Sequence, residues 1–197
     1  MSNSMSTLAV GSLAERQTDL TERLILESAV RLLEHASLTE LTVRAVAKQA
    51  GMSERTVFRY FATREEFLDA VAGEVRRQLN VPPPPATLEE LLVAPRALYG
   101  AFEARTNLTK AALHTELFDR MRQTQAKERW MAVRRIVDAH APRRSERERR
   151  FAAANVRYYL SATTWHYYRF YFGFSLADTI ACAQGAIRQS MDALRAR

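Results

Sequence analysis

One cysteine, Cys182, and four histidines in 197 residues leave little material for metal or redox chemistry. A single thiol excludes an intramolecular disulfide framework and any zinc site built from several thiolates, and a reducing cytoplasm is its simplest home. His35, His114, His140 and His166 form no His-x-x-x-His pair, no His-Glu-x-x-His and no cluster with Cys182 at ligand spacing, so no catalytic metal and no cofactor are expected. The six glycines are scattered. A P-loop and a dinucleotide fingerprint both need closely spaced glycines to let backbone approach phosphate, so both are excluded. Cys182 as a nucleophile is the remaining enzymatic option, but its neighbours Thr179, Ile180, Ala181 and Ile187 suit a buried small residue better. A helical small-molecule enzyme is the weaker alternative.

Long apolar runs are missing too. Charges and polar groups interrupt even YYLSATTWHYYRFYFGFSLA, so nothing approaches the roughly 18 apolar residues of a membrane span. Residues 1–17 are Ser-rich and polar around a broken LAV, unlike a signal peptide, and are expected to form a disordered tail. What the chain does have is positive charge, +7 net from 29 Lys and Arg against 22 Asp and Glu. That balance suits an anionic partner such as nucleic acid, although charge alone does not establish one.

Helical periodicity runs from end to end with no strand-like alternation, which predicts an all-α fold. Over 19–35, Leu24, Ile25, Ala29, Leu32 and Leu33 recur at spacings of three, four and seven, with Thr18 or Thr21 as N-cap. Thr42 precedes a second helix with the stripe Val43, Val46, Ala47, Ala50, and Gly51 stops it. Ser53 caps a short third helix, and Thr63 with Glu66 forms a capping box opening a fourth. NVPPPPATLEE then breaks the pattern, because consecutive prolines favour a stiff extended connector. Further helices are expected over 88–104, 110–122, 127–140, 145–170 and 176–195. The resulting division is a tail 1–17, a domain 18–80, a Pro-rich connector 81–87 and a second domain 88–197.

A helix, a turn with Gly51 and a short second helix are the parts of a helix-turn-helix spanning about 42–61. With Val57 and Phe61 buried against Val46 and Leu68, and Met52 packing inward, Glu54, Arg55, Phe58 and Arg59 turn outward. Arg55 can pair bidentately with a guanine edge, Thr56 can donate to phosphate or touch a thymine methyl, and Tyr60 can reach a phosphate. A solvated cationic face is the bland alternative for Arg44, Arg59 and Arg64.

The run LTVRAVAKQAGMSERTVFRYFATREEFLDAV closely resembles the N-terminal DNA-binding domain of the TetR family of transcriptional repressors. The resemblance covers about 19–75 and rests on Thr-Val-Arg, Ala-x-x-Ala-Gly-x-Ser, Thr-x-aromatic and Phe-x-x-basic-Glu in order. It implies base-region contacts from Arg44, Glu54, Arg55 and Phe58 and backbone contacts from Thr42, Thr56, Tyr60 and Arg64; Ser53 and Arg59 complete the DNA-facing set. Phe58, Tyr60 and Arg64 stand where the family usually has tyrosine, histidine and lysine. Phe58 cannot donate a hydrogen bond, so stacking on a sugar or methyl would be its role.

For the second domain the resemblance implies a helical bundle that dimerises through its last helices and holds an effector. Candidate pocket residues are His114, Phe118, Trp130, Tyr159, Trp165, His166 and Tyr168, with core or interface as the alternative for each. Ile180, Ile187 and Met191 are the candidate dimer contacts. The expected function is a ligand-responsive repressor that binds a palindromic double-stranded operator as a homodimer and is released by a small apolar or aromatic effector. An activator of the same family and a helical protein-interaction module are the other options.

Overall fold

The computed structural model describes residues 13–35 and 41–195, and every regular element among them is helical. The helices are α1 (Leu13–His35), α2 (Val43–Gln49), α3 (Glu54–Tyr60), α4 (Arg64–Leu79), α5 (Leu88–Ala104), α6 (Thr106–Leu113), α7 (Leu117–His140), α8 (Glu146–Tyr159), α9 (Ala162–His166) and α10 (Leu176–Asp192). A π turn, Tyr167–Tyr171, continues α9. None of these helices is long and apolar enough to cross a membrane.

Most helix starts are written locally. Thr42, Ser53, Thr63, Thr87, Ser145, Ser161 and Ser175 each accept a hydrogen bond from a backbone N–H in the first turn that follows. Each such cap stabilises its helix by about 1 kcal/mol. The reciprocal box expected at α4 is displaced by one residue: Thr63 caps Glu66, but the Glu66 carboxylate accepts from the N–H of Ala62. Ser145 with Glu148 makes the full box.

Three expectations fail, for identifiable reasons. Helix α1 starts at Leu13, so residues 13–17 are helical rather than tail, and Thr21 lies inside the helix with its hydroxyl donating to the Gln17 carbonyl at 2.9 Å. Residues 1–12 lie outside the described residues. Helix α7 is continuous through the segment 123–126, which holds neither Gly nor Pro; the break falls earlier, between Leu113 and Leu117. The expected single helix over 145–170 ends at Tyr159. Ser161 and Thr164 both donate to the Tyr158 carbonyl, at 2.7 Å each, while Ser161 recaps the chain. Such hydroxyls compete with the helical ladder.

Two apolar cores organise the helices. The first gathers Ile25, Val46, Val57, Phe67, Leu68, Val71 and Val75 from α1–α4, together with Leu108 of α6 and Leu117 of α7. The second joins Leu91, Tyr99 and Phe102 of α5 to Val133 and Val137 of α7, Val156 of α8, Trp165 of α9 and Ile187 of α10. A buried Val, Leu, Ile or Phe side chain contributes about 1.5–3 kcal/mol. Residues 81–87 bridge the cores, and Val81 packs against both.

A polar node staples the second core. Glu103 accepts from the indole N–H of Trp165 at 3.0 Å and pairs with Arg169 at 2.6 Å. Arg169 foremost holds the Glu103 carboxyl below its ordinary range. Trp165 is fully buried, its ring 5.8 Å from that of Phe102 and 5.5 Å from that of Phe170.

Candidate nucleic-acid interface

The junction of α2 and α3 is built by a helix-ending motif that needs a left-handed residue. Gly51 has φ +69°, its N–H donates to the Lys48 carbonyl at 3.2 Å, and the Met52 N–H reaches back to Ala47 at 2.9 Å. Both bonds satisfy carbonyls that α2 would otherwise leave open, in the Schellman pattern. Met52 packs on the first core and Ser53 caps α3 at once, so only three residues separate Ala50 from Glu54.

Packing then sets the phase of α3. Val57 is 0 % and Phe61 5 % exposed, which anchors one side of the helix in the first core. Glu54, Arg55, Phe58 and Arg59 are exposed, Phe58 at 43 %. Arg44 and Lys48 of α2 are exposed beside them, so α2 and α3 together carry four outward cations. Lys48 was missed by the sequence reading; its place in the last turn of α2, just before the glycine, was the available signal. No ion pair is formed by Arg44, Arg55 or Arg59 among the described residues.

Other expected contact residues have local duties. Thr42 caps α2, and Thr56 is half-buried with its hydroxyl 2.9 Å from that of Ser53. Tyr60 is half-buried on the first core under the Arg59 guanidinium, which lies 5.4 Å from the ring centroid. The Thr21 hydroxyl foremost, then Arg59, holds the Tyr60 phenol below its usual range. Arg64 is engaged by Glu116 at the head of α7 through a two-pronged contact. That contact sits beside a second strap, in which Arg120 of α7 pairs with Asp69 of α4 at 2.7 Å.

The structure separates the candidate effector residues. Trp165 is a core anchor. His114 is exposed and His166 half-buried, their rings 5.1 Å apart, and burial foremost lowers the His166 pKa. Trp130 and Tyr159 are half-buried at the margin of the second core, and Tyr168 is half-buried against Phe172 and Phe174. The side chain of Phe118 lies outside the described residues. A cleft of about 660 Å³ opens between α4 and α7 instead, lined by polar groups that include Asp69, Arg76, Glu116 and Asp119. Of the expected dimer contacts, Ile187 and Met191 are 0 % and 2 % exposed within the protomer's own core, and Ile180 is half-buried. They face inward because they hold α10 against α5 and α8. The outward side of α10 carries Ala177, Ala181, Cys182 and Arg188 instead.

A glycine turn of this geometry, with an exposed cationic second helix braced by the first, is a helix-turn-helix, the arrangement that places a helix in the major groove of DNA. Residues 25–71 match the family described as bacterial regulatory proteins, tetR family. The match covers the helix-turn-helix segment, α2 and α3 with the adjoining parts of α1 and α4. The chain's fold is similar to that of BioQ, solved as a crystal structure, at 20 % identity with a TM-score of 0.57 over 86 % of this chain and 95 % of that one. The crystal structure of Mycobacterium smegmatis BioQ gives the same figures, 20 % and 0.57 over 86 % and 95 %. BioQ with its natural double-stranded DNA operator matches at 19 % identity and TM-score 0.55, over 89 % of this chain and 98 % of that one. At such identity the likeness is one of fold. No curated protein matches the chain.

Proposed function

We propose that this protein is a ligand-responsive transcriptional repressor that binds a palindromic operator as a homodimer. The observation that carries this reading is α3 itself, pinned through Val57 and Phe61 with Arg55 and Arg59 outward and in no ion pair among the described residues. BioQ, whose fold it shares, was crystallised on its double-stranded operator, which supports the same docking here. Arg55 reads a guanine edge, with Glu54, Phe58 and Arg44 in the base region. Thr42, Ser53, Thr56, Arg59, Tyr60 and Arg64 serve the phosphate backbone, and Lys48 joins them. Residues 18–80 do the reading, 88–197 respond, and 81–87 connect the two.

The test is direct. Arg55→Ala is expected to lose about 1–3 kcal/mol of discrimination between operator and scrambled duplex, with an unchanged thermal midpoint because the side chain touches no core. Unaltered sequence preference, measured by fluorescence anisotropy on both duplexes, rules the assignment out.

A dimer supplies the second half-site, one turn of duplex or roughly 34–36 Å away. Its surface is the outward side of α8 and α10. Phe151 and Tyr158 are 56 % and 58 % exposed one heptad apart on α8, and α10 offers the small residues Ala177 and Ala181. Rings on one helix and small side chains on the next are complementary shapes for a four-helix contact.

The pair between Arg64 and Glu116 competes with DNA for the same guanidinium. Glu116→Gln removes that competitor, and operator affinity is expected to rise about fivefold, the equivalent of one exposed ion pair. A titration showing no gain would leave Arg64 with a structural role only.

A further inference from the structure

Most partly buried arginines of this protein meet a carboxylate. Arg105 pairs with Glu34, Arg134 with Asp138, Arg144 with Glu148 and Arg169 with Glu103. Among the described residues, Arg129 of α7 and Arg157 of α8 meet none. Arg129 donates to the Gln125 side-chain oxygen and to the Pro82 carbonyl, both at 3.1 Å, and Arg157 donates to the Leu160 carbonyl at 2.6 Å. These acceptors are all neutral. A guanidinium has five N–H donors, so most donors of both residues find no acceptor among the described residues, and their unbonded nitrogens are not sealed off from solvent. Burial foremost makes Arg157 a weaker holder of its proton, and the charges of Arg129 and Arg122 act in the same direction. Burial does the same to Arg129, with Glu128 opposing it. Half-buried like charges on two packed helices are unfavourable unless something of opposite sign neutralises them.

We propose that Arg129 and Arg157 form the receptor for an anionic small molecule, whose carboxylate or phosphate group bridges α7 and α8. This rests on the effector-responsive reading above and gives that effector its charge. Planar, forked donors suit both anions, which they can grip bidentately. Trp130 and Tyr159, half-buried on the same two helices, leave the rest of the molecule free to be flat or apolar. The site also has a route to the DNA-reading helices. Arg129 holds the carbonyl of Pro82, two residues beyond the left-handed Asn80 that ends α4. An anion that draws the Arg129 guanidinium to itself releases the connector, and α4 is the helix that follows α3.

The probes are sodium pyrophosphate and sodium octanoate, titrated into the full chain at constant ionic strength by calorimetry and by operator release. Saturable binding of at least one is expected, and the two arms separate phosphate from carboxylate recognition. Arg129→Met and Arg157→Met should each weaken that binding about tenfold or more, whereas Arg55→Ala should leave it intact. Without any anion, Arg157→Met should raise the thermal midpoint by about 2–4 °C, since it removes an unneutralised charge and keeps the bulk. Arg157→Lys, which keeps the charge, should retain part of the binding. The proposal is overturned if neither probe saturates, if binding survives Arg157→Met but not Arg55→Ala, or if Arg157→Met lowers the midpoint. Operator binding without anion is recorded in the same series. Its absence would remove the repressor reading and leave the anion result standing, while operator binding without anion binding would remove this inference alone.

Discussion

Tyr158→Glu is expected to turn the proposed operator-binding dimer into a monomer and to weaken operator binding about 100-fold or more, because the linked second half-site is lost. The residue is chosen for its position. Its ring is 58 % exposed on α8, and only its carbonyl, which any residue supplies, holds Ser161 and Thr164. Two-fold symmetry would bring the new carboxylate and its copy to the same contact, away from water. Helical content by circular dichroism should be unchanged, and sedimentation should report half the mass. A variant that remains dimeric by sedimentation places the interface elsewhere. A Glu at Ile187 could not make this distinction. That side chain is fully buried in its own protomer, and the change would unfold the second core before it could separate subunits.

Trp165→Ala carries the other large effect, on stability. A buried tryptophan truncated to alanine loses about 3–5 kcal/mol. Here it also leaves Glu103 with one donor fewer and opens space between Phe102 and Phe170. A fall of about 10 °C or more in the thermal midpoint follows. Trp130→Ala, at the half-buried margin of the same core, should lower the midpoint by less than half as much. Equal shifts for the two variants would mean that Trp165 is not the anchor its burial makes it.

Local chemistry was legible in the sequence, and long-range pairing was not. The caps at Thr42, Ser53 and Thr63 and the glycine turn at Gly51 are short-range events, so a window of a few residues contains them. The outward phase of Arg55 followed from Val57 and Phe61 for the same reason. The roles of Trp165 and Arg64 were hidden because their partners are remote. Glu103 lies 62 residues from Trp165, and Glu116 lies 52 from Arg64. Nothing in an aromatic helix distinguishes a ring over a ligand from a ring over a carboxylate-stapled core until that carboxylate is located. Ile187 and Met191 were misplaced through a related ambiguity: one helical stripe gives the apolar side, but not whether a neighbour in the same chain or in another covers it. The break at Ser161 was visible in principle, since Ser-Ala-Thr-Thr offers hydroxyls that rival the helical ladder.

The order in which helices join the two cores has a consequence for how the molecule behaves as a unit of inheritance and of folding. Helix α5 belongs to the second core, α6 returns to the first, and α7 begins in the first with Leu117 and ends in the second with Val137. The chain is laced, so the prolines at 82–85 mark a boundary in sequence but not in packing. Cut there, the N-terminal piece would lack Leu108, Ala111 and Ala112 over its core and would present bare apolar surface in their place. The DNA-reading segment is thus not a portable cassette. The two halves are expected to melt together in one cooperative transition, and recombination at the connector would pass on a fragment that still needs its original partner.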